Sequence, residues 1–288
     1  MHPLAILLVL VSAGLHVFWN YQIKRAAHPA LYSWWIQVYG ALLCAPIGLW
    51  LAWPVSVPAV GWYCVAGTSL FYAGYYTLIA YSYRREDLSR AYPIARGVAP
   101  AATAAWGVLF FREHPSPLGW IGIAAICLGV LALAWPMLRG GTAALPMMGI
   151  LAAIGTGLCT SGYSAVDKAG VQHVQPVLYI TLTFAAGAIT QGALLWPGHS
   201  WRAFAREARR GGAGLLLAAT AGVSGYLMIL ILLQHHAPVS YVVPLRSFSV
   251  LISVFVGARY LRETAGIPRF AAAALILLGI ASIALARA

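Results

Sequence analysis

Long apolar runs separated by short polar connections recur along the 288 residues, and ten can be marked: 3–23, 30–53, 58–82, 88–111, 117–137, 145–166, 175–196, 213–234, 238–258 and 267–286. Each is long enough to cross a membrane as a helix, because ~20 residues rising 1.5 Å apiece span the ~30 Å hydrocarbon core. The connections carry proline, glycine or charge, as in REHPSP after the fourth run and HHAP before the ninth. Only residues 198–212 leave room for a short surface helix. The pattern predicts an all-α integral membrane protein with ten transmembrane helices.

Two runs carry an arginine where hydrocarbon opposes it. Arg96 lies eight residues inside the fourth run, ~12 Å deep at helical rise, and Arg246 lies at the same depth in the ninth. A guanidinium near the midplane costs ~2.5–3.5 kcal/mol even on the lenient insertion scale, so each demands a partner. The match extends further. At an offset of 150, Arg96 falls on Arg246, Gly107 on Gly257, Arg112 on Arg262, Glu113 on Glu263, Ile126 on Ile276 and Gly129 on Gly279. An arginine and an Arg-Glu pair at fixed spacing do not recur through apolar composition alone, and the reading is an internal duplication, residues 1–140 against 141–288. Five spans per half is an odd number, so the second half enters the membrane with the opposite sense, giving two inverted five-helix repeats with the expected site between them near the midplane. In the first helix His16, Asn20 and Lys24 recur every fourth residue, as Thr160, Ser164 and Lys168 do in the sixth.

Composition agrees: 61% of residues are hydrophobic and 8% charged, with mean hydropathy +0.81, beyond what a soluble core requires. The net charge of +12 does not point to nucleic acid, since the basic residues lie mostly in short connections. Thirteen of the 18 Lys and Arg fall after odd-numbered spans; the positive-inside rule places that side in the cytoplasm and both termini outside. No Lys or Arg precedes the first apolar run, so it reads as a retained helix rather than a signal peptide. Cys44, Cys64, Cys127 and Cys159 lie in four different runs without CxxC spacing, supporting neither a metal site nor a disulfide framework. His235-His236 has no third ligand in view, and no metal and no cofactor are expected.

Of the six acidic residues, Asp167 alone reads as facing a cavity; Glu86, Asp87, Glu113, Glu207 and Glu263 sit at or beyond span ends. Two deep arginines against one carboxylate leave a charge for something else to satisfy. Three readings stand: backbone carbonyls freed where Pro93 or Pro244 loosens its helix, a bound anion, or long-range snorkelling of the side chain to the interface. Aromatics are the second signal. Tyr72, Tyr75 and Tyr76 lie deep in the third span, Tyr76 falls on Tyr226 of the eighth, and with Trp19, Tyr92, Tyr163 and Tyr241 they could wall a cavity, although each ring singly suits ordinary helix packing. His16 and Asn20 make a polar stripe of the kind that faces a bundle interior, with Ser164 its counterpart in the second half. His16 and Asp167 are the proton-coupling candidates. The absence of GxxxxGK[ST], HExxH and GxSxG argues against an ATP-driven engine or a hydrolase, and no enzyme is expected.

HVFWNYQIK at the end of the first helix, the run YRREDLSRAYPIARGVAP, and FFREHPSPLGWIGIAAICLGVLAL with its echo YLRETAGIPRFAAAALILLGIASIAL together resemble an EamA-type transporter of the drug/metabolite transporter superfamily. The resemblance spans nearly the whole chain. It implies two inverted five-helix halves, a central cavity and alternating access, with substrates drawn from amino acids, cationic drugs, nucleotide sugars and other metabolites. Members commonly line the cavity with the fourth and ninth helices, here Tyr92, Arg96, Tyr241 and Arg246. Many relatives keep both termini in the cytoplasm, against the charge count, and paired mid-helix arginines are not general to the superfamily.

The expectation is a secondary transporter in a bacterial inner membrane, monomer or homodimer, exporting a small metabolite with an anionic group, such as an amino acid or aromatic carboxylate. Its alternatives are an exporter of cationic aromatic compounds and a flippase for lipid-linked substrates. The expected binding residues are His16, Trp19, Asn20, Tyr72, Tyr76, Tyr92, Arg96, Tyr163, Ser164, Tyr226, Tyr241 and Arg246.

Overall fold

The computed structural model describes residues 2–52, 56–85, 88–138, 147–252 and 267–286; the side chains of 52, 82–85, 88–95, 134, 136–138 and 267–269 lie outside that description. The chain is all helical, with no strand among the described residues. Its helices are α1 (Pro3–Arg25), α2 (Pro29–Ala52), α3 (Ala59–Arg85), α4 (Leu88–Phe111), α5 (Pro117–Leu138), α6 (Met147–Gly170), α7 (Pro176–Leu195), α8 (Trp201–Gln234), α9 (Val239–Leu245), α10 (248–252) and α11 (Ile267–Leu285). Proline opens α1, α2, α5 and α7, where its missing N–H costs nothing. Gln175 caps α7 by accepting from the Val177 and Leu178 amides at 2.8 and 3.2 Å.

These helices follow the apolar runs closely, with two departures. The eighth run was expected to begin at 213, but α8 starts at Trp201 and absorbs the surface helix, the two pieces meeting at a kink at Gly212 with φ 46° and ψ −135°. That backbone conformation strains any side chain with a Cβ, which is why glycine stands there. The ninth run was expected to be continuous, but α9 stops at Leu245, Arg246 and Ser247 form a turn, and α10 restarts at 248. Pro244 lies inside α9 and leaves the Ser240 carbonyl without its helical donor; beyond it the Arg246 amide still makes an α-type bond to Val242 O at 3.2 Å, and the ladder tightens at Ser247, whose amide bonds Pro244 O at 2.9 Å. Residues 253–258 of this run lie outside the described residues.

The packing has a twofold pattern. Helix α1 packs on α8 as α6 packs on α3, α2 meets α8 as α7 meets α3, and α2 with α7, α4 with α9 and α5 with α11 pair across the halves. The α5–α11 seam repeats the pattern atom by atom. A Cβ added at Gly129 would lie 2.6 Å from Ile276 Cγ1 and 2.9 Å from Ala272 O; one added at Gly279 would lie 2.7 Å from both Ile126 Cγ1 and Gly122 O. At 150 residues' offset these are the same contacts seen from the other half.

Polarity is inverted relative to a soluble protein. Ser12, His16, Asn20, Gln37, Thr68, Ser164 and Asp167 are buried, while Leu42, Trp50, Leu70 and Ile189 face outward, as a bilayer requires. Five helices, Pro3–Arg25, Pro29–Leu51, Met147–Gly170, Pro176–Gly198 and Trp201–Gln234, meet length and apolarity criteria for spanning on the described residues alone.

Candidate functional site

Helices α1, α3, α6, α7 and α8 and the break after α9 converge on a small polar cavity of about 30 Å³, room for one or two water molecules. Tyr72, Tyr75, Tyr76, Tyr163 and Tyr226 line it with Trp19, His16 and Arg246. The rings meet edge on: Tyr72–Tyr163 centroids are 5.0 Å apart, Tyr163–Tyr226 5.6 Å, Tyr75–Tyr76 5.2 Å and His16–Trp19 4.7 Å. Edge-to-face packing sets the positive rim of one ring on the negative face of the next and makes the wall a connected cluster.

Arg246 enters this cluster from the turn between α9 and α10. It is 2% exposed. Its Nη2 lies 3.3 Å from His16 Nδ1, and its guanidinium sits 5.3 Å from the Tyr226 ring centroid, within cation–π range. Among the described residues its Nε and Nη1 have no hydrogen-bond partner. Two buried donors of an obligate cation are thus unmet among the described residues, and leaving such donors unmet is costly.

Beyond Tyr226 lies Asp167, fully buried in α6. Its Oδ2 accepts from the Tyr226 hydroxyl at 2.5 Å and its Oδ1 from Tyr179 at 2.8 Å and from Thr68. Among the described residues three hydroxyls and no direct cation hold it, while Tyr226 joins carboxylate and guanidinium through one ring.

On another face, Glu113 in the α4–α5 connection seats the start of α9. Its Oε1 accepts from the Val239 amide at 2.8 Å and its Oε2 from the Ser240 amide at 2.9 Å. Lys168 pairs with Oε1. Burial pushes the Glu113 pKa up, but the bonds from Lys168 and Ser240 outweigh it and hold the carboxyl below its ordinary range.

Seven of the twelve expected binding residues line the cavity: His16, Trp19, Tyr72, Tyr76, Tyr163, Tyr226 and Arg246. Five do not. Arg96 is buried and bears electrostatically on His16 without reaching the cavity wall. The Asn20 amide donates to His16 O at 2.8 Å, and Ser164 donates to Thr160 O at 2.7 Å, both within their own helices. Tyr241 points away: its hydroxyl accepts from the Ser116 amide at 3.0 Å, under the α4–α5 connection. The Tyr92 side chain lies outside the described residues. Ser12, Tyr75, Phe184, Gly222 and Gly225 complete the lining; Ser12, one turn before His16, was legible as a continuation of that helix's four-residue polar spacing. Glu207, expected at a span end, is instead 2% exposed on the inner face of the helix before Gly212.

Among solved structures, one crystal structure covers 99% of this chain and 99% of its own with a TM-score of 0.72 at 18% identity, a likeness of fold. Over 155 residues the chain is 27% identical to the uncharacterized transporter YwfM of Bacillus subtilis (strain 168), covering 52% of this chain and half of that protein. Over 98 residues it is 32% identical to the multidrug resistance protein EbrB of the same organism, covering 34% of this chain and 75% of EbrB. The chain thus spans about half the length of the first of these curated relatives. A family model matches residues 2–135 and again 147–285, and on those two matches the chain, a multi-pass membrane protein, belongs to the EamA-like transporter family.

Proposed function

We propose that the chain is a secondary transporter working by alternating access in a bacterial inner membrane, and that it carries a small metabolite bearing a carboxylate or similar anionic group beside an apolar or aromatic body. The observation that carries this reading is the buried Arg246 guanidinium with Nε and Nη1 unmet among the described residues, set in a wall of tyrosines. The anionic group would meet Arg246, the body would stack on Trp19, Tyr72, Tyr76 and Tyr163, and His16 would shape the guanidinium end. A cavity of about 30 Å³ admits no metabolite, so this is a closed conformation of the cycle and binding requires helices to part. The two halves, 1–140 and 141–288, are the units we take to move against each other. Arg96, buried in α4 and bearing electrostatically on His16, is the second anchor when the cavity opens, and export is the direction we favour.

Binding of a panel of aromatic carboxylates and amino acids to the purified protein, with Arg246→Ala and Arg96→Ala beside it, tests the clamp. Unchanged affinity in both variants removes it. Uptake into proteoliposomes with and without a pH gradient tests coupling, for which Asp167 and His16 are the groups to vary.

A second reading has its own support. EbrB is named a multidrug resistance protein, and Asp167 is a buried carboxylate one ring away from the tyrosine wall, an arrangement that suits a flat cation. Competition separates the two: cationic aromatics that displace substrate, with loss in Asp167→Asn and none in Arg246→Ala, favour the cation reading.

A further inference from the structure

The first part of α8, from Trp201 to the kink at Gly212, does not face the cavity. It follows the 3-10 turn Trp196–Gly198 and runs between the end of α7 and the spanning part of α8. Its two faces differ sharply. Phe204 and Glu207 are buried: the Phe204 ring lies 4.8 Å from the Trp34 ring, and its carbonyl accepts from Trp35 Nε1 at 2.8 Å. The helix is therefore pinned to α2. Arg202, Arg206, Arg209 and Arg210 are exposed, and their spacing of four, three and one puts them on a single stripe.

With Trp201 and Ala205 these arginines enclose an open surface cavity of about 570 Å³. Among the described residues no carboxylate pairs with these arginines: the ion pair is Lys168–Glu113, elsewhere in the molecule, and the helix's one carboxylate, Glu207, is on the buried face. Trp196 and Trp201 are exposed beside the stripe, and tryptophan favours the level of lipid headgroups. A pinned amphipathic helix between two spans, with guanidinium groups in a hollow and indoles alongside, matches a phosphate next to acyl chains more closely than a freely diffusing anion.

We propose that this hollow binds the headgroup of an anionic phospholipid from the leaflet on the arginine-rich side of the protein. The guanidinium groups hold the phosphate as paired N–H donors, and Trp201 lies along the glycerol and upper acyl region. The lipid joins the end of α7 to the start of the spanning part of α8, whose Tyr226 lines the central cavity.

The test uses the 288-residue chain purified in a neutral detergent. Phosphatidylglycerol and phosphatidylcholine are titrated separately, and retained lipids are counted by native mass spectrometry. Wild type is expected to hold phosphatidylglycerol about tenfold more tightly. Arg202→Gln/Arg206→Gln/Arg209→Gln is expected to lower that preference to within about twofold, whereas lysine at the same positions keeps most of it. Inorganic phosphate is added as a separate arm. Absence of preference in wild type, full preference in the glutamine variant, or equal displacement of lipid by inorganic phosphate would each overturn the assignment. The lysine variant, with matching elution and melting, shows that a loss seen with glutamine is one of charge and not of folding.

Discussion

Helices α4 and α9 occupy equivalent places in the two halves and carry equivalent residues, yet they treat their arginines differently. Helix α4 runs unbroken from Leu88 to Phe111, with Pro93 three residues before Arg96. Helix α9 ends at Leu245, one residue after Pro244 and just before Arg246. The first arginine is buried within a continuous helix; the second stands on a turn and lines the cavity with two donors unmet among the described residues. The two stretches that match the family model carry the same charge at corresponding places, and Arg246 is the one that lines the cavity.

The largest expected effect separates the two directly. Arg246→Ala should lower affinity for an anionic substrate by about 2–5 kcal/mol, the range for removing one partner of a buried charge pair, while Arg96→Ala should lower it several-fold less; isothermal titration of both variants reads the difference, and the reverse order would break the comparison. Where the halves agree, substitutions should agree too. Gly129→Val and Gly279→Val meet mirrored atoms, so each should cost a similar amount, about 1–3 kcal/mol of overpacking, measured as matched drops in melting temperature. Restoring a backbone donor inside α9 is milder. Pro244→Ala, which returns the bond to the Ser240 carbonyl and straightens the approach to Arg246, should weaken substrate binding by about 1 kcal/mol, roughly fivefold, whereas Pro93→Ala should leave it unchanged.

The smallest effect lies at the seat of α9. The Glu113 carboxyl is held below the ordinary value of 4.5 when folded, so it takes up a proton less readily folded than unfolded. Its contribution is present above that ordinary value and is lost as pH falls through the lowered one. Melting temperature should accordingly fall more steeply on acidification below pH 4.5 in wild type than in Glu113→Gln. Parallel curves would show that the carboxylate does not seat the half-helix.

Much of this was legible before any coordinates. Eight of the ten apolar runs match their helices to within a few residues, because hydrocarbon imposes length and composition on each span independently of its neighbours. The convergence of His16, Trp19, Tyr72, Tyr76, Tyr163 and Tyr226 was partly legible for the same reason: polar and aromatic groups deep in a span have few places to go but inward. Tyr241 escaped that logic. Its helix is short and ends at a break, so its rotation is set by the contact with the α4–α5 connection, which no apolar pattern encodes. The Glu113–Lys168 pair joins residues far apart in sequence, and the buried Glu207 sits where hydropathy suggested water. Each is a property of how helices meet, whereas periodicity reports only what surrounds one helix at a time.

The seam between α5 and α11 brings main chain against main chain at Gly122 and Gly279. Where backbone meets backbone there is little side chain to compress or slide upon, so at those points the two helices behave as one rigid strut. Any gap wide enough to admit cargo has to be made by helices that touch through deformable groups, and the tyrosine-lined core is where those lie.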